Sequence, residues 1–264
     1  MHENIELPDL VVLSGVGFRH KGANQDDVVR DFSLTIRRGE FLCILGPSGC
    51  GKTTVLNLLA GFEKPTTGSI TISGAPLRGP GAERGVVFQG EASLYHWLTA
   101  RENVELGLRI AGESKEKRRK IAGDNLQLVG LQGQEQKYPS ELSGGMKQRV
   151  NLARVLAGRA EILLMDEPFG QLDAQTRVLL QDELTQIWVK TQRTVFFVTH
   201  DIAEAVSLAD RIVVMRRGPA SNVKQIIDCD LPRPRNRGDP AFGHLYSLVG
   251  QSIASEVVDL RRHP

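Results

Sequence analysis

Over the first third of the chain, apolar and β-branched residues gather in short runs broken by Gly, Pro and Asp. This predicts strands over 10–18, 32–36, 41–45, 69–72 and 86–88. Past Gln89 the texture changes. The pattern over 99–129 is helical and polar and contains the run Ser114-Lys115-Glu116-Lys117-Arg118-Arg119-Lys120, which reads first as a solvated helix face and second as a docking surface. From Glu161 onward, strands at 162–165, 195–198 and 211–215 alternate with helices at 173–190 and 201–208. Short, continuously apolar strands alternating with helices predict a mostly parallel sheet covered on both faces, hence an α/β fold. The pattern divides the chain into one domain over 10–228 and a short tail over 229–264. The core of that domain is 10–88 with 158–228, and the helical insertion is 89–157.

Composition changes this picture little. The 264 residues are 41% hydrophobic and 24% charged, an ordinary globular balance. Lys and Arg number 33 against 31 Asp and Glu, a net charge of +2, too even to predict a nucleic-acid partner. Cys43, Cys50 and Cys229 are scattered and form no C-x-x-C pair, which suits a reducing compartment. The first ten residues carry acids and no apolar core, so no signal peptide is expected. Nowhere does an apolar run approach the roughly 20 residues that cross a bilayer, so a membrane role is expected to come through a partner.

The chemistry begins at Gly46-Pro47-Ser48-Gly49-Cys50-Gly51-Lys52-Thr53, which fits the phosphate-binding loop G-x-x-x-x-G-K-[S/T]. A predicted strand precedes it, and a helical stretch from Lys52 through Thr54 to Ala60 follows, stopping at Gly61. Glycines let successive backbone N–H groups turn toward one anion, and the helix N-terminus adds its positive end. Lys52 is then expected to reach the outer phosphates of a nucleoside triphosphate and the Thr53 hydroxyl to ligate Mg²⁺. A glycine-rich turn with no ligand is the bland alternative, and the flanking strand and helix argue against it.

Three further segments acquire meaning beside that loop. The strand Ile162-Leu163-Leu164-Met165 ends in Asp166 and Glu167, and ligands of such sheets lie beyond the carboxyl ends of their strands. Asp166 suits Mg²⁺, and Glu167 suits the polarising of an attacking water. Alone, this pair would read equally well as a strand-end cap. Val195-Phe196-Phe197-Val198-Thr199 delivers His200 in the same way, placed to donate to charge that develops on phosphate, although a lone His there is more often structural. Leu142-Ser143-Gly144-Gly145-Met146 opens a helix, and Ser143 with the amides of Gly144 and Gly145 forms a second anion site of the helix-N-terminal kind, or a plain Ser cap. One chain with one nucleotide has no evident use for two phosphate sites, whereas two chains set head to tail do.

In this order, the phosphate loop, Gln89, Leu-Ser-Gly-Gly, Met-Asp-Glu-Pro, Asp173 and His200 resemble the ATP-binding subunit of an ABC transporter, over about 10–215. The resemblance implies a P-loop nucleotide-binding core with an antiparallel N-terminal β part and an inserted helical subdomain. It implies ATP and Mg²⁺ as cofactors, with Gln89 contacting the metal and the attacking water. It implies also that Ser143, Gly144, Gly145 and Asp173 act in trans, with 169–173 communicating across the dimer. His20 stands where the family usually offers an aromatic ring to adenine, with Phe18 read as core. The implied partners are a second copy of the chain, an integral membrane permease and, indirectly, a solute-binding protein, at the cytoplasmic face of the membrane. The stretch 79–89 is similar to ATPases of taurine import, and Met146 with Leu231-Pro232-Arg233-Pro234-Arg235 resembles the wider nitrate, sulfonate and taurine group. Met146, Gln171 and His96 depart from common choices at their positions. The expected function is therefore the energising of taurine or sulfonate import, with nitrate or another small nutrient, or export, as alternatives. A soluble ATPase of translation or DNA repair is more remote, since those resemble tandem cassettes or carry long coiled-coil insertions.

Overall fold

A computed structural model describes residues 8–20, 26–88 and 94–258 of the chain. The chain gathers into two compact units, Met1–Gly81 with Gln192–Pro264, and Ala82–Thr191.

The first unit holds two sheets. β1 (Asp9–Arg19), β2 (Asp27–Arg37), β4 (Thr67–Ile72) and β5 (Ala75–Pro76) form an antiparallel sheet in the order β2-β1-β4-β5. Alternation is visible in β2, where Val29, Phe32, Leu34 and Ile36 are buried and their neighbours are not. The second sheet holds β10 (Val223–Asp228), β9 (Arg211–Met215), β3 (Phe41–Leu45) and β8 (Thr194–Val198) in that order. β3 runs parallel to both β8 and β9, while β10 closes the edge antiparallel to β9. Every residue of β3, β8 and β9 is buried, as continuous apolar runs in a parallel sheet require. The helices of this unit are α1 (Lys52–Ala60), α6 (Ile202–Leu208) and α7 (Pro240–Val258). At the base of β3, Glu40 and Arg211 form a buried ion pair at 2.7 Å, and Arg211 also donates to the Thr35 carbonyl oxygen at 2.6 Å. This pins the start of β9 to both β2 and β3.

The second unit pairs β6 (Arg84–Val87) in parallel with β7 (Ile162–Asp166). Its helices are α2 (Ala100–Ile110), α3 (Lys115–Leu128), α4 (Gly144–Ala157) and α5 (Ala174–Thr191). α2 begins with a reciprocal cap: the Glu102 amide donates to Thr99 Oγ1, and the Thr99 amide donates to the Glu102 carboxylate. α2, α3 and α4 pack on one another through Val104, Leu108, Ala122, Leu126 and Val150, so the insertion has a small core of its own. The polar run at 114–120 forms the first turns of α3, where Lys115, Lys117 and Arg119 are exposed.

Two elements go beyond the sequence reading, which assigns no structure past Gly218. β10 forms at the sheet edge, and α7 occupies most of the tail. Phe242, Leu245, Val249 and Ser252 fall on one buried face of α7, and Pro240 opens it, where a missing N–H costs nothing. Strand 86–88 is displaced by a residue or two into β6, and Phe88 is exposed.

Candidate functional site

In the first unit, buried β3 ends at Leu45 and the chain turns through Gly46–Gly51 into α1. Gly49 and Gly51 have φ of 78° and 89°, left-handed values that glycine adopts without steric cost. At Gly51 space is also short: a Cβ there would lie 3.0 Å from Val29 Cγ2 and 3.2 Å from Val28 Cγ1. α1 has no side-chain cap and no acid in its first turn, so its own sequence supplies no carboxylate to its positive end. Lys52 is 7% exposed, and its Nζ donates to the Gly46 and Pro47 carbonyl oxygens at 2.8 and 3.0 Å. The ammonium at the loop's end is thus tied back to two carbonyls at its start. Burial raises the pKa of the Cys50 thiol, partly offset by the charge of Lys52, so this cysteine packs beneath the loop as a neutral group. Ser48, Gly49 and Thr53 face outward. Buried cation, left-handed glycines and an uncapped helix together fit a polyphosphate.

His200 follows β8 in the same unit and is exposed. Its position is fixed from below by residues that the sequence reading passes over. The Thr199 hydroxyl donates to the buried Glu204 carboxylate, and the Thr199 amide donates to the Ile44 carbonyl of β3 at 3.2 Å. Asp201 caps α6 by accepting from the Glu204 amide at 3.1 Å. The signal for this was present as Thr-His-Asp followed by Glu204, a cap with its acid in the first turn. Phe18 is buried in β1 as read from sequence, while His20 at the strand end is exposed. Their rings meet edge to face with centroids 5.0 Å apart.

The second unit carries the acids and the Ser-Gly-Gly turn. Asp166 ends β7, and both Asp166 and Glu167 are half-buried. Glu167 has φ of 42°, a left-handed backbone that costs a non-glycine residue roughly 1–3 kcal/mol. Its carbonyl accepts from the Gly170 amide at 3.1 Å, so the chain turns sharply where the acid emerges, with Pro168 and Phe169 buried behind it. Ser143 caps α4, its Oγ accepting from the Met146 amide at 3.3 Å. Gly145 faces Thr176 of α5, whose Cγ2 would lie 2.9 Å from any Cβ placed there. Asp173 caps α5, with its carboxylate accepting from the amides of Gln175 and Thr176 at 3.1 and 3.0 Å. The Thr176 hydroxyl, then these amides, hold its pKa below the usual carboxylate value. Gln89 lies outside the described residues. Each unit therefore assembles its own share of the expected residues: 46–54, His20 and His200 in one, Asp166, Glu167, 143–145 and Asp173 in the other.

Comparison with known proteins gives these groups a context. The family model described as ABC transporter matches residues 29–170. An uncharacterized ABC transporter ATP-binding protein of Methanocaldococcus jannaschii is 50% identical over 235 residues, covering 89% of this chain and 87% of that protein. The nitrate import ATP-binding protein of Synechococcus elongatus is 45% identical over 223 residues, covering 82% and 81%. A bicarbonate transport ATP-binding protein of Synechocystis is 47% identical over 224 residues, covering 83% and 79%. Among solved structures, a dimeric ATP-binding cassette in a post-hydrolysis state with ADP and Pi is 33% identical with a TM-score of 0.73, covering 84% of this chain and 100% of that one.

Proposed function

The chain belongs to the ABC transporter ATP-binding family, an ATPase whose hydrolysis is coupled to transport, and from this premise we propose that it energises uptake of nitrate or another small nutrient anion. The observation that carries the proposal is the 45% identity, over most of both chains, to a nitrate import ATP-binding protein, beside 47% to a bicarbonate one. Taurine or another sulfonate is the second reading, favoured by the stretch 79–89 alone. An ATPase subunit need not touch the solute, so this choice rests on kinship rather than on a pocket.

ATP with Mg²⁺ supplies the phosphoanhydride bond and the charge that neutralises its oxygens. Lys52 then exchanges the Gly46 and Pro47 carbonyls for phosphate oxygens, and the amides of 48, 49 and 51–54 donate to the same anion. Thr53, Asp166 and Gln89 are the proposed metal ligands, and His20 is the proposed contact to adenine. Glu167 takes the proton of the attacking water, and His200 donates to the charge that develops at the outer phosphate. In a second copy arranged head to tail, Ser143, Gly144, Gly145 and Asp173 complete the site. That arrangement draws support from the dimeric relative and from a Ser-Gly-Gly helix start that the copy carrying it does not itself need for nucleotide. A permease in the membrane receives the resulting motion, with a solute-binding protein upstream and the chain peripheral on the cytoplasmic face. No helix among the described residues is long and apolar enough to cross a membrane. The helical subdomain is proposed as 89–157 within a domain over 10–228.

Uptake in a strain lacking the gene tests the solute. Labelled nitrate should fail to accumulate, and growth on nitrate as sole nitrogen source should stop while growth on ammonium continues. Normal nitrate uptake with lost growth on taurine as sole sulfur source would move the assignment to the sulfonate reading.

A further inference from the structure

The segment between β9 and β10, residues 216–221, lines the back of the phosphate loop. Upstream of it, a Cβ on Gly46 would lie 3.2 Å from Met215 Cβ, and a Cβ on Gly218 would lie 3.5 Å from the Gly49 carbonyl oxygen. The segment is also stitched to the start of β2: the amides of Ala220 and Ser221 donate to the carbonyls of Asp27 and Val28 at 2.6 and 3.1 Å, and the Arg30 amide donates to the Ser221 carbonyl at 3.0 Å. Val28 and Val29 are the side chains that press on Gly51. The strap therefore runs close beside the loop at Gly49, with little more room than a methyl group would fill, and bears on Gly51 through Val28 and Val29.

One group from the C-terminal helix holds this strap. Glu256 of α7 accepts from the Arg217 amide at 2.9 Å through Oε2, and its Oε1 pairs with Lys224 Nζ at 2.7 Å. Lys224 also donates to the Ser252 carbonyl at 2.7 Å, so strand β10 and helix α7 orient the carboxylate from two sides. Burial works to raise the pKa of Glu256, but the hydrogen bonds from Lys224 and the Arg217 amide hold it below the usual value. A carboxylate near an anion site would ordinarily oppose binding, and here Lys224 neutralises it.

We propose that Glu256 is a positioning residue for nucleotide binding: through the Arg217 amide it holds the 216–221 strap against the phosphate loop. This rests on the reading of the Lys52 loop as the ATP site. Glu256→Ala should raise both the Kd and the KM for ATP by about threefold to tenfold, the factor that the net contribution of one hydrogen bond converts to. With no group lost from the reacting atoms, kcat should stay within about twofold. Glu256→Gln keeps an acceptor for the amide and should recover most of the affinity. Where the alanine variant does not fold, Glu256→Asp serves, since its shorter reach breaks the same contact and should show the same split. Calorimetry on wild type and variants, with melting curves beside the kinetics, decides the matter. A wild type that binds ATP with variants of equal affinity overturns the inference, as does a fall in active fraction and melting point at constant KM. Glu256→Gln as weak as Glu256→Ala overturns the route through Arg217. A wild type that binds no ATP overturns the loop assignment itself, a distinct result.

Discussion

The starts of α1 and α4 look alike in sequence, each a glycine-rich turn leading into a helix, but they are built on different terms. α1 follows a fully buried strand, has no side-chain cap, and holds a buried lysine within its own turn. α4 starts at the surface and brings its own cap, Ser143, bound to the Met146 amide. The first helix start suits an anion, because it has neither a side-chain cap nor an acid in its first turn and holds a lysine beside it. The second has one of its amides capped from within and can take an anion without depending on one. Under the proposed head-to-tail arrangement this difference would have a use: the nucleotide would stay with the copy whose Lys52 loop holds it, and the other copy's turn would engage and release.

The largest test of the contrast is Lys52→Ala. The substitution removes the cation that bridges Gly46 and Pro47 and leaves both carbonyls without that donor. ATP affinity by calorimetry should fall by ~10² or more, the worth of one or two charge-assisted hydrogen bonds, and turnover should fall with it. Retained affinity would mean that the loop amides alone carry binding. Next comes Glu167→Gln, which keeps shape and hydrogen bonding but loses the base. Hydrolysis should drop by about 10² while ATP still binds, and the bound protein should accumulate as a dimer in gel filtration. Near-normal turnover would pass the role of base to another group, His200 first. Because the left-handed backbone at 167 is independent of the side chain's charge, the glutamine variant should melt within a degree or two of wild type.

Most of this architecture was legible in the chain because its strands are buried on both faces. Phe41–Leu45 and Arg211–Met215 read as strands to the residue, since their positions are filled by apolar side chains, apart from Arg211, whose charge is paired with Glu40. The phosphate loop was legible because its chemistry needs particular residues at particular spacings. α7 was not, because Pro232, Pro234 and Pro240 and two internal glycines mask a helical stripe whose members, Phe242, Leu245 and Val249, are spaced three and four apart. β10 was hidden for a different reason: as an edge strand it buries only Ile227 among its six residues. Asp173 shows a further limit. The family pattern marks it for a role across the dimer, yet in its own chain it already caps α5, and sequence alone cannot separate the two uses.

Ser143 has the same double character, and separating its uses gives the smallest effect and the most direct reading of the contrast. Ser143→Ala removes the cap of α4 and should lower stability by about 1 kcal/mol, read as a shift in the urea midpoint at constant slope. Ser143→Asp restores a good cap, so the midpoint should return. It also sets a negative charge at the turn, where repulsion from an incoming phosphate opposes engagement. Stability and turnover should therefore part company. The aspartate variant should be as stable as wild type, bind ATP to its own Lys52 loop normally, and hydrolyse little. The alanine variant should be less stable and keep part of its activity, because the Gly144 and Gly145 amides remain. If both variants hydrolyse at the wild-type rate, Ser143 is a cap and nothing more, and the second helix start has no share in the nucleotide. If Ser143→Asp instead loses ATP binding to the isolated chain, the two helix starts serve one copy's nucleotide, and the exchange between copies is wrong.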